Sequence, residues 1–358
     1  MIKKAGNWLV KQWKNSIFLL VLVFSLVLSI VAYWGFSRST TNTLVEQILH
    51  REQLAARMGA NSINSFMSLS SRSLFVLAEN PIVFSLRPET QQLIQEYINN
   101  WQGTPLKGII VIDKNGKLQY SANRGDASWE KTYLGNRDYF RKASQVQKGQ
   151  FVLSSPIISR VGITKGQSVI VMATPLYQEG RFNGAIIVSI LLTDFVKDYL
   201  EPLKVTNDTN IILADAEGNI IGISSPLEQL VGVNLVEQFQ EHPFLGSNLI
   251  LEQIKSASNL SNEGKLDIVL PSLGKNGELD FSNLSRYVIA YTPFKVDDQL
   301  FYYIIAVPAT NALAEFAPLY VKQILALIVV ILIFFAFALR LAKIYAYREA
   351  LKNLPRKV

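Results

Sequence analysis

The chain has 358 residues, about half of them apolar, a net charge of +7, two histidines and no cysteine. The missing cysteines exclude a thiolate zinc site, an iron–sulfur cluster and structural disulfides, and His50 and His242 stand too far apart in sequence to suggest a multi-histidine metal site. The positive charge does not form a nucleic-acid face: residues 1–16 carry +4, residues 340–358 carry +5 and Lys322 adds one, which leaves 37–318 at −3. Basic ends beside apolar runs are the pattern of a membrane protein with its positive ends inside.

Residues 1–16 read as a basic cytoplasmic N-terminus and 17–36 as a first transmembrane helix. Ile17 to Phe36 is twenty residues without a charge, and Tyr33 and Trp34 stand at its outer end, where aromatic rings favour the interface. The run is long for a signal peptide and no small-x-small cleavage site follows, so it reads as a retained anchor. Ser25 and Ser29, four apart, suit a helix–helix contact. Residues 37–80 read as a stalk helix with an apolar stripe of Leu44, Ile48, Leu54, Met58, Ile63, Phe66 and Leu74, free of proline until Pro81. A turn at Pro81-Ile-Val-Phe and a second helix over Gln91 to Trp101 follow.

A repeat then appears. Gly108 to Ser121 is an apolar strand, an Asp-x-x-Gly turn and a second strand, and Asn210 to Ser224 has the same form, with Asp113 matching Asp215 and Gly116 matching Gly218. Asp113-Lys-Asn-Gly116 lacks the twelve-residue ligand run of a calcium loop, so a hairpin turn is the reading. Between the copies, Asn136 reads as the N-cap of a short helix carrying Tyr139, Phe140, Ala143 and Val146, with Arg137 at its start, where free N–H groups favour an anion. Gln150 to Ser154, Ser168 to Thr174 and Ala185 to Leu191 read as strands. Ala173-Thr-Pro175 is echoed by Ala290-Tyr-Thr-Pro293, each closing a strand, and Gly184 to Ile190 by Leu300 to Val307. Two copies about 100 residues apart indicate two similar domains rather than a solenoid. Further on, a helix is expected around Leu249 to Ala257, an edge strand around Lys265 to Leu270 and an exposed loop over Leu273 to Ser285. Residues 319–339 read as the second transmembrane helix and 340–358 as a basic cytoplasmic tail, so both termini face the cytoplasm and 37–318 lies outside.

Arg137-Asp-Tyr-Phe140, Leu153-Ser-Ser-Pro156, Ala173-Thr-Pro175 and Gly180-Arg-Phe-Asn-Gly184, in this order, resemble the ligand-binding lobe of double Cache sensor domains of bacterial transmembrane receptors. The resemblance implies an α+β fold: two PAS-like lobes with antiparallel sheets on a long N-terminal stalk helix, flanked by transmembrane helices. The membrane-distal lobe would be 81–198 and the membrane-proximal lobe 199–318. It also implies a bacterial inner-membrane location, a homodimer, and a kinase, cyclase or methyl-accepting output. None follows residue 339, so the expectation is a truncated sensor or a sensory subunit that signals through a partner, with roles in chemotaxis or two-component signalling.

In the amino-acid-binding branch of that family, Arg-x-Trp-Tyr holds the ligand carboxylate and a downstream Asp holds the ammonium. Here Arg137 matches, Tyr139 and Phe140 replace the aromatic pair, and Ser159 stands at the Asp position. The expected ligand is therefore a small organic acid. Arg137 would clamp it, Tyr139 would be a wall or a hydroxyl donor, Phe140 would wall it, Ser154 and Ser155 would donate to it, and Tyr120 or Trp129 would act as lids, whereas Arg160 reads as a surface charge. No cofactor or metal is expected. The rival readings are an enzyme, for which no nucleophile elbow or metal cluster speaks, and a membrane-anchored scaffold with a degenerate pocket.

Overall fold

A computed structural model describes residues 2–124, 132–224, 226–241, 263–273, 279–314 and 316–352. The chain divides into two compact units, one made of residues through Gln47 together with those from Thr310 onward, the other of Ile48–Ala309. Helix α1, Ile2–Ala78, contributes to both.

In the larger unit, α1 is followed by α2 (Pro81–Phe84), whose first turn is capped by Asn80 Oδ1 accepting from Ile82 N at 2.9 Å, and by α3 (Thr90–Asn100). The first sheet contains β1 (Leu106–Asp113), β2 (Leu118–Asn123), β3 (Val152–Leu153), β4 (Ile157–Ile158), β5 (Ser168–Gln178) and β6 (Arg181–Leu191). The second contains β7 (Asn210–Asp215), β8 (Ile220–Ile223), β9 (Gly264–Leu273), β10 (Leu279–Val296) and β11 (Gln299–Pro308). Their orders are β2-β1-β6-β5-β3, with β4 also on β5, and β8-β7-β11-β10-β9. Apart from β4 the two plans are the same, and every strand pair is antiparallel. This is the α+β architecture of two antiparallel sheets behind a long N-terminal helix.

The repeat is reproduced bond for bond. Asp113 Oδ1 accepts from the backbone N–H of Asn115 and Lys117, and Asp215 Oδ1 from those of Glu217 and Asn219. Gly116 and Gly218 take φ of +81° and +87°, a conformation that glycine adopts without a Cβ penalty. After each hairpin the chain returns to the same edge: Leu134 N donates to Gly116 O, and Leu235 N to Gly218 O. Short helices follow, α4 (Asp138–Ala143) in the first lobe and α6 (Leu235–Glu241) in the second.

Sheet 1 is buried on both faces, which explains why β1, β5 and β6 are almost continuous apolar runs. One face packs Ile110, Ile112, Val171, Ala185 and Ile187 against Tyr139, Phe140 and Ala143 of α4. On the other, Leu106, Ile109 and Val188 meet Leu74 of α1 and Ile98 of α3. The outer edge of β2 is closed by glutamines of α3. Gln91 bonds both the N–H and C=O of Ser121, and Gln95 Nε2 donates to Asn123 O at 3.0 Å.

Several expectations need correction. On the stalk, Leu54 and Met58 are exposed, and the buried stripe passes instead through Ala56, Gly59 and Ala60. Small residues there let the helix approach the sheets closely. Pro175 and Pro293 do not end their strands: β5 continues to Gln178 and β10 to Val296. Each proline sits just beyond the last residue paired to the outer neighbour, Ala173 with β3 and Tyr291 with β9. Val171 N–H and Tyr291 C=O point to that outer side, toward Ser154 and Gln53. By the two-residue alternation the prolines' missing N–H groups point there too, so no ladder bond is lost. Of the loop expected over Leu273 to Ser285, the described residues are strand, because β10 begins at Leu279 and stays paired to β9 across a bulge between Asp280 and Leu284. The strand expected over Gln150 to Ser154 shrinks to Val152–Leu153. The edge strand near Lys265 is β9, whereas the helix expected around Leu249 lies outside the described residues.

In the smaller unit, α7 (Ala309–Ala314) leads to α8 (Ala317–Lys352), whose Tyr320–Phe337 stretch is long and apolar enough to cross a membrane. Phe24, Ile30, Ile328, Leu332 and Phe335 point outward, as lipid-facing residues do. Between α1 and α8 lies a groove holding the buried Ser29 and Gln323 with Lys322, and Thr41 Oγ1 and Tyr320 OH are hydrogen-bonded at 3.1 Å.

Two predictions follow from the helix–sheet contact. A Cβ on Gly59 would overlap the ring of Tyr303. Gly59→Ala should therefore destabilise by about 1–2 kcal/mol, although helix propensity alone favours alanine by about 1 kcal/mol. In a Tyr303→Ala background the same change should turn neutral or stabilising, which thermal unfolding of the four proteins would read. Secondly, Arg57 hydrogen-bonds and ion-pairs with Glu263 and holds its carboxyl below the ordinary 4.5. The pair contributes stability above that value and loses it as pH falls through the depressed one. The gap between wild type and Glu263→Gln should be present at pH 7 and close below about pH 4 in denaturation series.

Candidate ligand-binding site

A cleft of about 30 Å³ lies in the first lobe, room for roughly two water-sized groups. Its floor is one row across the sheet: Asn123 on β2 pairs with Gly108 on β1, which pairs with Ser189 on β6, which pairs with Val171 on β5. The pairing of β1 with β6 is irregular next to this row, between Leu106 and Gly108. Gly108 is bare for a reason: a Cβ there would lie 2.6 Å from Asn123 Oδ1. The glycine lets the asparagine side chain lie over the sheet. Gln95 fixes Asn123 from behind through its carbonyl.

The roof is built from two segments. Arg137 and Tyr139 come from the start of α4, and Ile157, Ser159, Arg160 and Val161 from β4 and the turn after it. They are tied together by Arg137 Nη2, which donates to Ile158 O at 3.0 Å. Ser159 is held on all sides: its N–H donates to Gln167 O, its hydroxyl to Val161 O, and it accepts from Thr164.

The cleft is lined by two arginines and by buried polar groups. Arg137 Nε and Asn123 Nδ2 are buried with no hydrogen-bond partner, and Asn123 is only 4% exposed. Burial pulls the Arg137 guanidinium below its usual range, and Arg160 pushes the same way. The Tyr139 phenol is pushed up to about 12 by burial, so its hydroxyl stays protonated and able to donate. Among the described lining residues there is no carboxylate.

Of the residues singled out from sequence, Arg137 and Tyr139 meet in the cleft. Phe140 belongs to the core, edge-on to Phe182 at 5.9 Å. Ser154 bonds the backbone of Val171 on β5, and Ser155 is exposed outside the cleft. Tyr120 is turned away: its hydroxyl donates to Leu86 O at 2.7 Å, pinning the link between α2 and α3. Trp129 lies outside the described residues. Asn136 does not cap α4; Arg137 is the cap residue, without a side-chain capping bond, and the six-residue helix supplies no N-terminal anion site. Nothing in the sequence singles out Asn123 or Ser189 for the cleft, and Arg160, expected as a surface charge, is exposed and also lines the cleft. Ser189 stands out only as the one polar residue inside the Ala185 to Leu191 run.

The second lobe holds a larger cavity of about 160 Å³, with a different character. It is lined by Ile212, Ile220, Ile268, Ile289 and Ile304 among others, and its one lining acid, Asp215, is engaged in the hairpin turn. It offers no positive charge to an anion among the described residues.

Comparison with known proteins agrees with this architecture. The dCache_1 family model, a Cache domain, matches residues 40–316. The ligand-binding domain of the Pseudomonas fluorescens chemoreceptor CtaA, in complex with L-isoleucine, is similar in structure. Its TM-score is 0.54 and its identity 17%, over 77% of this chain and 98% of that one. The ligand-binding domain of the Pseudomonas aeruginosa PAO1 amino acid chemoreceptor PctB, in complex with L-Gln, gives 0.53 and 17%, over 77% and 97%. A methyl-accepting chemotaxis protein X gives 0.55 and 12%, over 74% and 98%. A DNA-directed RNA polymerase subunit beta from Phaeodactylum tricornutum is 25% identical over 182 residues, 48% of this chain, and the chain spans only 13% of that protein's length, so no function carries over from it. With the family model matching both lobes and the same fold in chemoreceptor ligand-binding domains, the chain belongs to the double Cache family of sensor domains.

Proposed function

We propose that the chain is a two-pass sensor of the bacterial inner membrane. Residues 37–318 lie outside, both termini lie in the cytoplasm, and the distal lobe binds a small carboxylate at Arg137. The observation that carries this reading is the pair of unmet donors, Arg137 Nε and Asn123 Nδ2, in one cleft. A buried donor without a partner costs about 1–3 kcal/mol, and a carboxylate that opened the cleft far enough to reach both would relieve that cost. The structural relatives named above are described in complex with L-isoleucine and L-Gln. An amino acid also needs a partner for its ammonium, and the cleft lacks a carboxylate among the described residues, so the ligand is an acid without that group.

Binding would bias two arrangements of α1 and α8 by differential affinity, in a homodimer, and a cytoplasmic or membrane partner would receive the signal. The chain acts as a receptor rather than an enzyme. A second reading, a scaffold whose cleft is degenerate, draws on the small volume of about 30 Å³ and on the engagement of Ser159 in its own turn.

Thermal unfolding of the full detergent-solubilised chain against monocarboxylates, amino acids and amines tests the proposal. A carboxylate at a hundred times Kd should add about 2.7 kcal/mol of stability, and Arg137→Ala should abolish the gain. Stabilisation by amines alone, or by a carboxylate indifferent to Arg137→Ala, would sink the clamp. Silence across the panel would favour the scaffold.

A further inference from the structure

We infer that the ligand of this cleft is a compact dianion, a short dicarboxylate held between Arg137 and Arg160; the inference rests on the carboxylate reading above and narrows it. Arg160 lines the same cleft as Arg137 but comes from the opposite segment, the turn after β4. It has neither a hydrogen bond nor an ion pair among the described residues. Its place in the chain is fixed nonetheless, because the neighbouring Ser159 and Val161 are locked by the Ser159–Val161–Thr164 bonds. Arg137, Arg160 and Tyr139 all line the one cleft.

Charge balance decides among ligands. Two like charges face a small space that holds no counter-charge among the described residues. A monocarboxylate answers one of them. A zwitterion would bring its ammonium toward the second arginine, which is repulsive. A dicarboxylate answers both: Arg160 offers a planar fork to one carboxylate, and Arg137, whose Nη2 already donates to Ile158 O, offers its remaining N–H groups to the other. Asn123 and Tyr139 add neutral donors to the lining of the same cleft. The cleft of about 30 Å³ must widen to admit any dicarboxylate, and the shortest linker between the carboxylates asks for the least widening.

The experiment is isothermal titration of the full solubilised chain at low ionic strength with malonate, acetate, glycine and inorganic phosphate. Wild type, Arg160→Gln and Arg160→Lys are compared. Because Arg160 is exposed, these changes should leave the fold intact. Malonate should bind wild type about tenfold or more tighter than acetate. Arg160→Gln should remove that preference while leaving acetate affinity within about twofold, and Arg160→Lys should retain most of it. Equal affinities in wild type, a preference that survives Arg160→Gln, glycine binding tighter than malonate, or phosphate binding without malonate would each overturn the inference. Acetate bound through Arg137 with malonate no tighter defeats the dianion alone, whereas no carboxylate binding at all defeats the proposed function beneath it.

Discussion

The contact between α1 and the two sheets is the constraint on which the larger unit depends. The helix lies close because its buried face is small where it must be: Gly59 sits under the ring of Tyr303, with Ala56 and Ala60 fully buried beside it. Tyr303 donates to Tyr199 O at 3.1 Å, and Tyr199 lies in α5 (Leu192–Tyr199), the helix that joins the sheets. Phe66 of α1 packs on Tyr199 at 5.0 Å and on Phe195 at 6.2 Å. One helix, one linker and one strand thus share a single aromatic cluster, and neither lobe can shift along α1 without disturbing it.

The candidate site hangs from the same spine. Tyr97 of α3 donates to Ser73 O on α1, and Gln95 of α3 donates to Asn123 O on β2. The asparagine that faces the cleft is therefore two hydrogen-bonded steps from the long helix.

The two lobes show how little of a domain sets its chemistry. They share strand order, the Asp-x-x-Gly hairpin and the returning edge segment. The first lines a narrow cleft with two arginines, an asparagine and serines; the second presents isoleucines around a wider cavity. Turn chemistry and strand burial specify the fold in both. A few polar substitutions on the inner face specify what can enter the first.

Local and periodic features were legible along the chain. The charge-free run at Ile17 to Phe36, the apolar stretch within 319–339, the paired Asp-x-x-Gly turns and the family resemblance all rest on neighbours within a few residues, where backbone physics acts directly. Arg137 and Tyr139 could be named for the same reason, as parts of one short motif. Features set by pairing across distance were not legible. Which side of α1 is buried depends on where Tyr303 arrives, so Leu54 and Met58 look like core and are exposed. Whether Pro175 ends its strand depends on where β3 stops. Asn123, Gly108 and Ser189 become one floor only through the register of three strands, and Arg160 becomes a second charge in the cleft only when β4 folds over that floor. Register and closure are tertiary quantities, fixed by the summed burial of both sheet faces, and no local stretch of sequence contains them.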